Sequence, residues 1–123
     1  MAEKIKILLV DDDMTSLDLM DLLFEDKGFE VVRCSDGMQA VTAAKSDSPD
    51  IILVDLMMPG ITGQEAVRKI RSQGIKIPIV AFTALDDEDT HQDARNAGCN
   101  LVLTKPCKPL ELLKHINDLV RNS

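Results

Sequence analysis

The chain has no Trp, no Tyr and only three Phe, so its core must be built from Leu, Ile, Val, Ala and Met. Stacking on nucleobases is therefore not a binding mode it is equipped for. Positive charge is also in short supply. Fourteen Lys and Arg stand against 21 Asp and Glu, and the net charge of -7 repels phosphate backbones and anionic lipid surfaces. The expected partner is a protein or a cation, with no direct contact to nucleic acid or membrane. No apolar run approaches the roughly 20 residues of a membrane span. Met1-Ala2-Glu3-Lys4 followed by six strand-like residues lacks the layout of a signal peptide, and a cytoplasmic protein is expected. Cys34, Cys99 and Cys107 are odd in number and show neither CxxC nor Cys/His ligand spacing. They read as small buried or half-buried thiols of a reducing compartment, a redox role for Cys107 being the lesser alternative.

With 123 residues and no repeat, low-complexity stretch or linker, the chain reads as one domain over residues 1–123. It is organised around Ile51 to Thr62. Ile51-Ile52-Leu53-Val54 is an apolar run leading into Asp55 and a Pro59-Gly60 turn, the pattern of a strand buried on both faces of a parallel sheet. Asp55 then sits at the carboxyl end of a central strand, the edge along which open α/β sheets bind ligands. Taken alone, it is equally readable as an Asp that starts the turn.

Ile5 to Val10 reads as a first strand that ends in Asp11-Asp12-Asp13. Thr15 or Ser16 caps a helix whose inward face is Leu17, Met20 and Phe24, stopped by Gly28. Phe29 to Cys34 is a second strand, and Asp36 caps a helix that buries Ala40, Val41 and Ala44. After the Asp55 strand, Thr62 and Glu65 form a capping box for a helix with an apolar face of Ala66, Val67 and Ile70, closed by Gly74. Ile77 to Phe82, with Pro78 tolerated near its start, is a fourth strand ending at Thr83. The next helix, about Asp86 to Ala97, has little to bury beyond Leu85, Ala94 and Ala97, which makes it a candidate for movement. Asn100 to Leu103 is a short fifth strand, and Pro109 opens a final helix burying Leu112, Leu113, Ile116 and Val120. Five strands alternating with five helices mean a doubly wound, flavodoxin-like parallel α/β sheet with right-handed crossovers. In strand order 2-1-3-4-5, strands one and three are neighbours, and Asp11, Asp12 and Asp55 share a pocket at the switch point.

Thr83 after strand four and Lys105 after strand five fall on the same edge. Three crowded carboxylates repel one another unless a cation is bound, so a Mg2+ site is natural there. Lys105 and Thr83 then supply a point charge and a hydroxyl for phosphoryl oxygens, and one carboxylate is left as nucleophile.

Leu9-Val10-Asp11-Asp12, Val54-Asp55 with Met58-Pro59-Gly60 and Gly63, Phe82-Thr83-Ala84, and Thr104-Lys105-Pro106 occur in this order and at these separations. From Ile5 to Val120 the chain resembles the response-regulator receiver domains of two-component signalling. The resemblance implies that Asp55 is the phosphoacceptor, taking a phosphoryl group from a phosphohistidine on a sensor histidine kinase or phosphotransfer protein. It also implies that Asp12, Asp55 and the backbone carbonyl of Met57 coordinate Mg2+, with Asp11 acting largely through water. Thr83 and Lys105 would bind the phosphoryl oxygens, and the Lys105-Pro106 peptide would be cis. Such a domain is a switch rather than an enzyme: it assists only its own phosphoryl transfer and dephosphorylation. A remodelled surface of helix four, strand five and helix five would then meet a downstream protein target. Met1 and the end shortly after the last helix suit a free-standing, single-domain regulator, expected as a monomer or weak dimer.

The sequence departs from the family pattern in two places. Val102 stands where an aromatic ring commonly rotates with the Thr, and Cys107 where Phe often follows Lys-Pro. The output step must then rely on shifts of loops and of helix four, or be weaker. Met57 and Leu85, two residues beyond Asp55 and Thr83, are apolar and cannot orient an attacking water, so slow self-hydrolysis is expected. Asp13 reads as a solvent-facing helix-entry residue, Met58 as packing, and His91 and His115 as surface positions.

Two other readings compete. Asp11-Asp12-Asp13-Met14-Thr15 also matches the D-x-D-x-T of haloacid-dehalogenase-like phosphatases, with Asp11 as nucleophile and Asp13 as acid/base. That reading leaves Asp55 without a role and lacks an acidic pair on a later strand. A docking module that signals without phosphorylation would ordinarily have lost an acidic-pocket residue, and none is lost here.

Overall fold

The computed structural model describes residues 4–122. Met1 to Glu3, which carry part of the expectation about a missing signal segment, lie outside the described residues. The strands are β1 (Lys6–Val10), β2 (Glu30–Cys34), β3 (Ile51–Val54), β4 (Ile79–Thr83) and β5 (Leu101–Thr104). They alternate with helices α1 (Met14–Asp26), α2 (Gly37–Ser46), α3 (Gly63–Ser72), α4 (Glu88–Ala97) and α5 (Pro109–Arg121). All strand pairs are parallel and the order is β2-β1-β3-β4-β5, the doubly wound arrangement expected.

Alternation along the strands divides the core in two. Leu8, Val10, Ile52, Val54, Ile79 and Ala81 face one layer with α2, α3 and α4, whereas Ile7, Leu9, Ile51, Leu53, Val80 and Phe82 face the other with α1 and α5. Each fully buried Leu or Ile contributes roughly 1.5–3 kcal/mol over its exposed state. With every residue of β3 and β4 buried, the centre of the sheet is a rigid base for whatever follows each strand.

Local chemistry sets the element ends. Asp36 accepts from the Gln39 amide, and Thr62 and Glu65 form the reciprocal capping box of α3. Gly63 must be glycine because a Cβ there would lie 2.5 Å from the Asp55 carbonyl oxygen and 2.7 Å from Leu56 Cα. That close approach seats α3 directly under the loop after β3. Arg71 donates to the carbonyls of Ile75, Ile77 and Gly98 and to Asn100 Oδ1, tying the end of α3 to the turn that follows α4. The far end of α4 is thus pinned, although the helix buries only Ala94 and Ala97.

Several boundaries differ from expectation. Asp13, not Thr15 or Ser16, caps α1: its Oδ1 accepts from the Thr15 amide and its Oδ2 from the Ser16 hydroxyl. An Asp can take both donors at once, which neither shorter hydroxyl could. Asp87 caps α4, so the helix begins at Glu88 rather than at Asp86. Strand β4 starts after Pro78, which lacks an N–H but whose carbonyl accepts from the Ile52 amide. Val41, Met20 and Val120 are half-buried instead of buried, and Leu85 is exposed because it leaves the sheet edge before α4 begins. Cys34 and Cys99 are buried and Cys107 half-buried, as expected.

Candidate functional site

The ends of β1, β3, β4 and β5 bring the expected residues to one edge. Asp11 and Asp12 follow β1, Asp55 follows its neighbour β3, Thr83 closes β4 and Lys105 follows β5. One carboxylate oxygen from each of Asp11, Asp12 and Asp55 lies within 4.8 Å of the other two. An all-oxygen donor set of this kind fits Mg2+.

The three acids are not equivalent. Asp12 is exposed, and the side chain of Asp55 is 13% exposed against 2% for Asp11. Both oxygens of Asp11 are engaged: Oδ1 accepts from the Asp13 amide at 2.9 Å and Oδ2 from Lys105 Nζ at 3.2 Å. Lys105 Nζ lies 3.7 Å from Asp55 Oδ2 and 5.3 Å from the centroid of the Phe82 ring. The ring supports the ammonium from the protein side, a contact that sequence reasoning missed because Phe82 looks like an ordinary core strand residue. The Lys105-Pro106 peptide is cis, as the resemblance implied.

Asp55 and Thr83 are held in the same way. Asp55 Oδ1 accepts from the Met57 amide at 3.0 Å, and the Oγ1 of the fully buried Thr83 accepts from the Leu85 amide at 3.1 Å. Met57 is 57% exposed while Met58 is buried, so the reading of Met58 as packing stands. Val102 is half-buried against the α2–α4 layer.

Three minor expectations change or sharpen. His91 and His115 lie at the surface, each partly covered, and His91 Nε2 is 2.8 Å from the Leu85 carbonyl. No sequence signal pairs them, since the contact depends on how the loop before α4 turns. Asp13 is exposed and spends its carboxylate on the α1 cap, which removes it as the acid/base of the phosphatase alternative. Burial pushes the thiols of Cys34 and Cys99 up to about 11, and burial together with Glu111 raises that of Cys107, against the thiolate that a redox role needs.

Burial raises the carboxyl of Asp55 above its ordinary value; the Met57 amide and Lys105 pull it down, and Asp11 pushes it up again. The folded chain therefore holds this proton more tightly than the unfolded chain does, and ionisation of Asp55 costs folded-state stability. That cost is absent below about pH 4 and present in full once pH has risen past the folded-state value. Asp55→Asn is thus expected to melt higher than the wild type at pH 7 in EDTA, with the gain shrinking to nothing as pH falls toward about 4. Thermal unfolding across that range checks it, and a variant that melts lower at pH 7 contradicts the electrostatic account.

The chain spans about half the length of the curated relatives it matches. It is 33% identical over 118 residues to the alkaline phosphatase synthesis transcriptional regulatory protein PhoP of Bacillus subtilis, covering 96% of this chain and 49% of that protein. Among solved structures it is similar to the Francisella response regulator 1452 receiver domain, with a TM-score of 0.91, 28% identity, and coverage of 97% of this chain and 98% of that one. It is also similar to the receiver domain of the sensor histidine kinase PA1611 from Pseudomonas aeruginosa PAO1, a structure with a magnesium ion coordinated in its active-site cleft. There the TM-score is 0.89 and the identity 32%, over 96% of this chain and 98% of that one. The family model of the response regulator receiver domain matches residues 7–117, and with nearly the whole chain inside that match, this protein belongs to the receiver-domain family.

Proposed function

We propose that residues 1–123 form one receiver domain that acts as a phosphorylation-dependent switch, with Asp55 as the phosphoacceptor. The observation that carries this reading is the meeting of Asp11, Asp12 and Asp55 within 4.8 Å, with Lys105 reaching both Asp11 and Asp55 from β5. Asp55 is the acid best suited to the nucleophile: it is held by the Met57 amide, yet more accessible than Asp11. Asp12, Asp55 and the carbonyl of Met57 would hold Mg2+ directly. Asp11, with both oxygens already engaged, fits a role through water. A bound Mg2+ would neutralise the acids and draw in the phosphoryl oxygens.

The donor is a phosphohistidine on a sensor histidine kinase or a phosphotransfer protein. An Asp55 oxygen attacks phosphorus, the N–P bond breaks, and the pair of electrons returns to the imidazole nitrogen, which takes a proton; the product is an acyl phosphate. Lys105 supplies charge to the phosphoryl oxygens. Thr83 supplies its hydroxyl after giving up the Leu85 amide, and that exchange shifts the loop ahead of α4. Because α4 buries only two alanines, Ala94 and Ala97, the loop shift can move its first turns and alter the α4–β5–α5 surface offered to a downstream protein. With Val102 in β5 no aromatic ring takes part.

The net charge of -7 favours protein partners over direct contact with nucleic acid, and no helix among the described residues is long and apolar enough to cross a membrane. A cytoplasmic location and a monomeric or weakly dimeric state belong to the same proposal.

Incubation with acetyl phosphate and Mg2+ is expected to add one phosphoryl group by intact mass, with none added in EDTA or to Asp55→Asn. Labelling that persists in Asp55→Asn overturns the assignment. Self-hydrolysis of the labelled protein should be slow, because Met57 and Leu85 present only apolar side chains beside the site. Replacing both with Asn should shorten the lifetime about tenfold or more, below the roughly 100-fold that a well-positioned general acid or base gives, because an Asn amide orients water without taking its proton. An unchanged lifetime contradicts the role given to these side chains.

A further inference from the structure

Beside the acidic pocket runs a second feature that phosphoryl chemistry does not use. A groove of about 450 Å3 lies between the loop after β3 and the start of α4, lined by Leu56, Met57, Met58, Pro59, Leu85 and Thr90 among others. Its lips are Met57 and Leu85, 57% and 37% exposed, which is an unusual position for two large apolar side chains on so polar an edge. Between two of the residues that line it, Leu85 and Thr90, the chain runs through four consecutive exposed carboxylates, Asp86, Asp87, Glu88 and Asp89. Asp87 is occupied by the Thr90 cap and Glu88 by Arg95, whereas the carboxylates of Asp86 and Asp89 make no hydrogen bond or ion pair among the described residues.

We infer that this groove is a docking site for a segment of a partner protein that carries a large apolar side chain flanked by Lys or Arg. The apolar side chain fills the space between Met57 and Leu85, and the flanking cations meet Asp86 and Asp89. Charge complementarity decides the class of occupant, since an acidic or neutral segment would bring carboxylates or nothing to that acidic run. An apolar anchor in a pocket with a charged rim is also the usual arrangement of an energetic centre and a specifying edge.

The position gives docking a route to the phosphoryl site. The backbone amides of the two lip residues are the donors that hold Asp55 and Thr83. A partner that reseats Met57 or Leu85 therefore alters what those side chains can do, and by linkage their state alters the partner's affinity.

The test uses the full chain carrying Asp55→Asn, so that its outcome does not depend on phosphorylation. Amide shifts are followed by NMR during titration with a synthetic amphipathic peptide of Leu and Lys, and with a Leu and Glu peptide of the same length and pattern. Saturable shifts at Met57, Met58 and Leu85 and over 86–90 with the Lys peptide alone, weakened by added salt, are expected. Leu85→Asp, and separately the pair Asp86→Lys and Asp89→Lys, should weaken binding about tenfold or more, on the scale of losing one interface anchor or charge pair. Equal binding of both peptides, shifts centred on another face, affinity unchanged in both variants, or no binding at all overturns the inference. Concentration-dependent shifts at the groove without peptide would instead make a second copy of the chain its occupant, and would also overturn it. Failure of acetyl phosphate to label the wild type bears on the phosphoacceptor reading and leaves this result standing.

Discussion

Two carboxylates share one ammonium at the heart of this molecule. Lys105 lies 3.2 Å from Asp11 and 3.7 Å from Asp55, and these three groups come from the ends of three different strands. Like charges at this separation are unfavourable in a half-buried setting, and burial raises the Asp55 carboxyl even with the Met57 amide and Lys105 drawing it down. The sheet order brings the three groups together. Asp11 and Asp55 meet because β1 and β3 are direct neighbours, and Lys105 reaches them across β4 with Phe82 supporting its ammonium.

The apolar core makes such an arrangement affordable. Strands β3 and β4 are buried throughout, with separate hydrophobic layers on each side, so the charged edge rests on the stiffest part of the chain. What can move is the rim. Leu85, His91 and the start of α4 are joined by a hydrogen-bonded loop, not by packing, while Arg71 fixes the far end of that helix. Rigidity under the chemistry and looseness beside it are the two properties a switch requires.

Most of this was legible in the sequence, for a physical reason. A strand buried on both faces must be an unbroken apolar run, so Ile51 to Val54 announces itself, and a polar residue placed just after such a run has to emerge at the sheet edge. Asp11, Asp12, Asp55, Thr83 and Lys105 are all of that kind. The rest depends on where side chains settle after folding. Nothing local tells Asp13 from Thr15 as the α1 cap, or ranks Asp11 as the most buried acid. The exposure of Leu85 and the contact of His91 with its carbonyl arise from the path of one loop, and hydrophobicity alone pointed to the opposite placement for Leu85.

The measurement that bears most directly on the charge cluster is calorimetric titration of Mg2+ into the metal-free wild type, Asp12→Asn and Asp55→Asn. Saturable one-site binding in the wild type, lost in both variants, is the predicted result, together with a Mg2+-dependent rise in wild-type Tm of the size the affinity dictates. Absence of binding in the wild type, or equal binding by all three chains, would mean that the three carboxylates are not a cation site.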